Sequence, residues 1–141
     1  MTTAGSISAL KQVVRNTLLS NTDLTDKVGG RIFGAHMNDA DASTVEYPMV
    51  IIDFRGGARH SAGLLQTTIF EIWTYSRKSQ GDALEIYDLA CNALNMEPFE
   101  KGNLQIAGYA REITRPVEGY NEKARAYYAI GRFSGKSAGT L

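Results

Sequence analysis

The chain has 141 residues, 43% of them hydrophobic and 21% charged, which suits one globular domain and excludes the disordered and membrane-embedded classes. Fifteen basic residues match fifteen acidic ones, so no net positive field exists to hold nucleic acid or gather the chain on an anionic membrane. The single cysteine, Cys91, excludes an internal disulfide and a cysteine-built zinc site.

Residues 1–6 lack a basic segment followed by an apolar run, and no stretch approaches the roughly 18 apolar residues of a membrane helix; neither secretion nor insertion is expected. Ile7, Leu10, Val13, Val14 and Leu18 recur at helical spacing, with Ser6 placed as a cap, and predict a helix over 7–20. A short second helix is expected over 24–28, capped by Asp23 and stopped at Gly29-Gly30, with Arg31 to Phe33 as a brief strand. Residues 34–47 carry Asp39, Asp41 and Glu46, no lysine or arginine, and mostly small side chains, and read as an acidic loop.

Pro48 then opens a strand over 49–54, and the glycine-rich stretch 55–63 reads as the connection of a long hairpin. The returning strand, 65–75, has Ile69, Phe70, Ile72, Trp73 and Tyr75, apolar on both faces, so it is expected at the centre of a sheet. Ser79 with Asp82 forms a capping pattern ahead of the stripe Ala83, Ile86, Tyr87, Ala90, Cys91 and Leu94, which predicts a helix over 80–95 packed across that central strand. Two further strands are expected, 104–114 with a bulge at Gly108, and 125–133. Residues 116–123 read as the turn between them, and 134–141, rich in glycine, serine and alanine, as a loose tail. The fold class is α+β: a mainly antiparallel sheet of four to five strands packed by two helices, with an extended hairpin loop, in one domain spanning the chain.

Residues with chemical potential form no catalytic pattern. His36 with Asp39, Asp41 and Glu46 lies in a loop without fixed ligand geometry, so a solvated loop is expected there and no metal. His60-Ser61 has no nucleophile-elbow motif around it, and the paired glycines lack the lysine of a phosphate loop. Cys91 falls on the apolar helical stripe, where it packs. Asp53 and Glu71 are acids inside strands, read as a solvated face or as partners of Arg31 or Arg111 in preference to an acid-base pair. No catalytic residue, cofactor or metal is expected. Arg111, Arg115, Arg125 and Arg132 fall on the last two strands and read as ordinary solvated charge in preference to a basic stripe along one sheet face.

Three local patterns, in this order, resemble the phage tail-completion family, which includes the tail terminators of lambda-like phages. They are an amphipathic helix leading to Val28-Gly29-Gly30-Arg31-Ile32, the strand opening Tyr47-Pro48-Met49-Val50-Ile51, and Thr68 to Ser76 running directly into the helix from Ser79, with Ile72-Trp73-Thr74-Tyr75 at the strand's end. The resemblance covers residues 7 to 133 and implies a virion protein made in the bacterial cytoplasm and carried at the tail neck. It implies a homo-oligomeric ring, usually a hexamer, on the head-proximal end of the tail tube. Its partners would be the tail-tube protein and the head connector, with genome DNA only passing through the lumen and no membrane involved. The alternatives are another neck ring of the virion, or a small ligand-binding or enzymatic α+β domain. Separation of charge along the chain nominates Asp39, Asp41 and Glu46 against Arg55, Arg59, Arg111, Arg115 and Arg125 as surfaces where neighbouring copies meet.

Overall fold

The computed structural model describes residues 7–34, 45–60, 65–100, 102, 104 and 106–139; Ser6, the anticipated cap, Asp39, Asp41 and His36 lie outside these. Helix α1, Ile7–Leu19, buries the expected stripe of Leu10, Val13, Val14 and Leu18. Helix α2 spans Thr22–Val28, and its cap is Asn21, not Asp23: the Asn21 side chain accepts the Leu24 amide at 2.9 Å, which places the cap two residues earlier than expected. Gly29 closes α2 in the left-handed conformation, donating its amide to the Thr25 carbonyl.

Among the described residues, five strands follow in the order β1-β2-β3-β5-β4 across one sheet. They are β1 (Ile32–Phe33), β2 (Met49–His60), β3 (Leu65–Ser76), β4 (Ile106–Asn121) and β5 (Ala126–Gly139). Of these five strands β1, which pairs with β2 at Val50 and Ile51, is parallel to its neighbour, and the other pairings are antiparallel. The central position of β3 agrees with its two-sided apolar pattern. Three segments expected as loops are strand instead. Residues 55–60 stay paired to 65–69 after a bulge at Arg55, because Gly56 and Gly57 take positive φ angles that let the ladder resume. Pro116 to Asn121 continue β4, since a proline on an outer strand sacrifices no ladder bond; the turn shrinks to residues 122–125. Ser134–Gly139, expected as a loose tail, continue β5 between β3 and β4, so backbone pairing on both sides replaces the side-chain packing this stretch lacks. The register shifts of β4 fall between Glu112 and Val117, not at Gly108.

Alternation sorts the sheet into two faces. Val50, Ile52, Phe70, Ile72, Ala129 and Phe133 point toward the helices and form the main core with α1, α2 and α3 (Gln80–Leu94). The Ser79 side chain caps α3 by accepting the Asp82 amide, as the sequence pattern predicts, and Ala83, Ile86, Tyr87, Ala90 and Leu94 are buried against the sheet. The Thr74 hydroxyl on β3 donates to the Ala83 carbonyl at 2.8 Å, tying the helix start to the central strand. Gly131 of β5 lies directly under the Tyr87 ring, where any β-carbon would overlap it.

Candidate functional site

The face of the sheet turned away from the helices carries the groups that can meet a partner. Register sets Asp53, Glu71 and Arg132 side by side on β2, β3 and β5, with Ile51, Trp73 and Ile130 in the next row and Met49, Tyr75 and Tyr128 beyond. Met49, Ile51 and Tyr75 are buried here under Ala124, Ala126 and the segment around Val45 and Tyr47, while Trp73 and Tyr128 remain half-buried. The Arg77 guanidinium lies 4.1 Å from the Tyr47 ring centroid and holds that segment down. Thus β3 is covered fully by helices on one face and only in part on the other.

Asp53 and Glu71 do face each other, but their partners are Arg55 and Arg132, not Arg31 or Arg111. Arg55 reaches Asp53 at 3.0 Å and Glu71 at 3.0 Å; Arg132 reaches Glu71 at 2.9 Å, and the Trp73 indole donates to Glu71 at 3.2 Å. Burial pushes the Glu71 carboxyl up, yet these hydrogen bonds outweigh it and hold the pKa below the usual carboxylate range. Two carboxylates and two guanidiniums balance, and the cluster locks three strands together.

A second cluster joins β4 to α3. The Tyr87 hydroxyl donates to Glu112, Arg115 donates to the same carboxylate at 2.8 Å, and the Cys91 thiol lies 3.6 Å away. Burial, and then the Glu112 charge, push the Cys91 thiol up to about 11, which makes it unreactive, in keeping with its packing role. Glu112 itself is held low: burial raises it, but Tyr87 and Arg115 outweigh that. Asp82 is lowered in the same way, with hydrogen bonds from Lys27 and Ser76 overcoming burial. Folded carboxyls that ionise below their unfolded values of about 4 stabilise fully above that pH, and the stabilisation is lost as pH falls through the folded values. The thermal midpoint is therefore expected to stay level from pH 7 to about 5 and to fall steeply below about 4, with Glu71→Gln flattening the acid limb. A midpoint independent of pH down to about 3 would contradict this assignment.

The residues nominated for contacts between copies are not gathered in one place. Glu46 is 84% exposed and pairs with Arg31 of its own chain at 3.4 Å. Arg55 and Arg115 are likewise engaged within the subunit, by Glu71 and Glu112. Arg111 is exposed opposite Ser134, and Arg125 occupies the β4–β5 turn with φ +54° at one end of the sheet, whereas Arg55 sits mid-sheet at the β2 bulge. Arg59 is in β2, and Asp39 and Asp41 lie outside the described residues. No single arginine stripe forms, because the irregular stretch between Glu112 and Val117 turns Arg115 toward Glu112. Among the described residues, no three His, Cys, Asp or Glu side chains converge as metal ligands would, and no helix is long and apolar enough to cross a membrane.

A shallow groove of about 510 Å³ opens on the same face at the hairpin end, lined by Leu65, Thr67, Tyr109, Lys136 and Ala138. With this geometry in place, the fold has a counterpart among solved structures. A chain described as "Virion of native gene transfer agent (GTA) particle" is similar, with a TM-score of 0.71 over 94% of this chain and 96% of that one. The likeness is one of fold. Identity is 17%, and no family model and no curated protein matches the chain. The network around Glu71 and the groove both draw on strands far apart in sequence; an acid amid Trp73 and Tyr75 was the one local signal for the former.

Proposed function

We propose that this chain is a structural subunit of a virion, which closes the head-proximal end of a phage tail tube as a ring, ends tube growth and offers the surface to which the head connector joins. The observation that carries this reading is the fold shared with a virion chain across nearly the whole of both chains. The finer role, at the tail end, is supported by the resemblance of the 28–32, 47–51 and 68–79 segments to the tail-completion family. The subunit acts by shape: its titratable clusters have matched charges and serve to fix strands and helices. A net charge of zero suits a ring through which DNA passes without being held.

The direct test adds the purified protein to polymerising tail-tube protein and measures the tube-length distribution. Tubes that stop growing at one end are expected; unaltered growth sinks the reading. The acidic segment is proposed to meet the neighbour's basic surface, which gives a second expected result. Replacing Asp39, Asp41 and Glu46 together by serine should weaken ring formation and flatten its dependence on salt, modestly, because exposed pairs contribute about 0–1 kcal/mol each. Identical assembly and salt response would remove this segment from the contact.

A further inference from the structure

We infer that copies of this chain join head to tail by seating the acidic outer surface of α2 and α3 of one copy on the basic, helix-free face of the next copy's sheet. The inference rests on the ring reading and names the surfaces that meet.

The neutral chain divides its charge between the two sides of its sheet. Residues 7–29 and 78–100, which hold the three helices and the segment after α3, carry seven acidic and four basic residues, so the rest of the chain has an excess of three positive charges. Asp23 and Asp26 of α2 and Glu85 and Asp88 of α3 are all exposed, and Lys27 of α2, reaching both Asp82 and Glu85, holds the two helices side by side. Half-buried Leu84 and Leu89 flank the α3 pair. The four cations are engaged within the subunit. Lys27 pairs with the buried Asp82 at 2.7 Å and Lys78 faces it too; Arg15 donates to the Ile32 carbonyl, and Lys11 lies over the Phe54 ring.

On β5, Phe133 points to the helices, so Arg132 and Lys136 point away from them, and Arg111 joins them from β4 opposite Ser134. All three cations are exposed. Strands about 4.8 Å apart, with alternate residues about 7 Å apart, place them within about 14 Å of one another. The carboxylates of this face, Asp53 and Glu71, are held by Arg55 and Arg132, and among the described residues no carboxylate pairs with Arg111 or Lys136. Leu65 and Tyr109, beside Lys136, are 48% and 37% exposed. Each surface therefore mixes one sign of charge with apolar side chains, and each is the complement of the other. They lie on opposite sides of one sheet and cannot meet within a subunit, so the occupant of each is a second copy. Contact between two different surfaces repeats from copy to copy, which is the arrangement a closed ring requires.

The test compares Arg111→Glu with Lys136→Glu, which makes both surfaces acidic, and Asp26→Lys with Asp88→Lys, which makes both basic. Each double variant is measured alone and the two are then mixed, by sedimentation velocity over a concentration series, with circular dichroism to check folding. Alone, each should self-associate at least about tenfold more weakly than wild type; mixed, they should recover to within about threefold, as alternating copies. If a reversal does not fold, Arg111→Gln with Lys136→Gln and Asp26→Asn with Asp88→Asn replace it, and each should weaken association by about threefold. Wild-type rings that the variants leave unchanged sink the inference while the ring reading stands. Weakening without recovery on mixing assigns the surfaces to other proteins and overturns it. Wild-type binding to a short DNA duplex, lost in the Arg111 and Lys136 variant while self-association is kept, assigns the cations to nucleic acid and overturns it too. A wild-type chain that stays monomeric at every concentration and on tail tubes overturns both readings.

Discussion

Replacing Phe133 by alanine is expected to lower the free energy of unfolding by about 3–5 kcal/mol. Phe133 is fully buried at the middle of β5, and its ring stacks on Phe70 with centroids 5.7 Å apart; Phe70 in turn stacks on Phe54 at 5.2 Å. The three rings form a row across β2, β3 and β5, and Tyr87 of α3 lies over its end, 6.4 Å from Phe133. Truncation removes the link between this row and the helix and leaves a cavity that the rigid strands cannot close. Total stabilities of about 5–15 kcal/mol mean that such a loss is a large share of the whole. The thermal midpoint should fall by about 10 °C or more, and a fall of less than about 3 °C would show that the site relaxes around the missing ring.

Leu94→Ala should cost about 2–5 kcal/mol. Leu94 is fully buried in the last turn of α3 and belongs to the same core cluster as Leu10, Val13 and Val14 of α1. Three features converge there. The helix ends at Asn95, whose amide bonds to the Cys91 carbonyl; its side chain accepts the Glu112 amide at 2.8 Å; and the following residues bond to β4. With the backbone pinned on both sides of the position, little collapse into the vacated space is available. An unchanged midpoint would mean that the stripe of α3 faces solvent or a partner, not the sheet.

The parts of the fold legible in the sequence are those where one element carries its own signal. Helix α3 announces itself through the Ser79–Asp82 cap and the period of Ala83 to Leu94, and β3 through its β-branched and aromatic run; both agree with the structure to within a residue. The ends of β2, β4 and β5 are different. Gly56, Gly57, Pro116 and the run Ser134 to Gly139 look like loop or tail by composition, and become strand only because long-range pairing supplies what local propensity does not.

The candidate site was less legible still, for the same reason. Arg132 meets Glu71 across a separation fixed by register, and the groove gathers Leu65, Tyr109 and Lys136 from three strands, so neither arrangement exists before the sheet does. Alternation alone would have aligned Arg111, Arg115 and Arg132, but the shifts between Glu112 and Val117 cancel that alignment. Charge separation along the chain likewise failed to reveal that Glu46, Arg55 and Arg115 find partners within their own subunit.

The most direct measurement for the virion role is electron microscopy of tail tubes incubated with the purified protein. The proposed role predicts a closed ring of several copies seated on one end of each tube and absent from the other. Protein scattered along the tube walls, or bound to neither end, would contradict it.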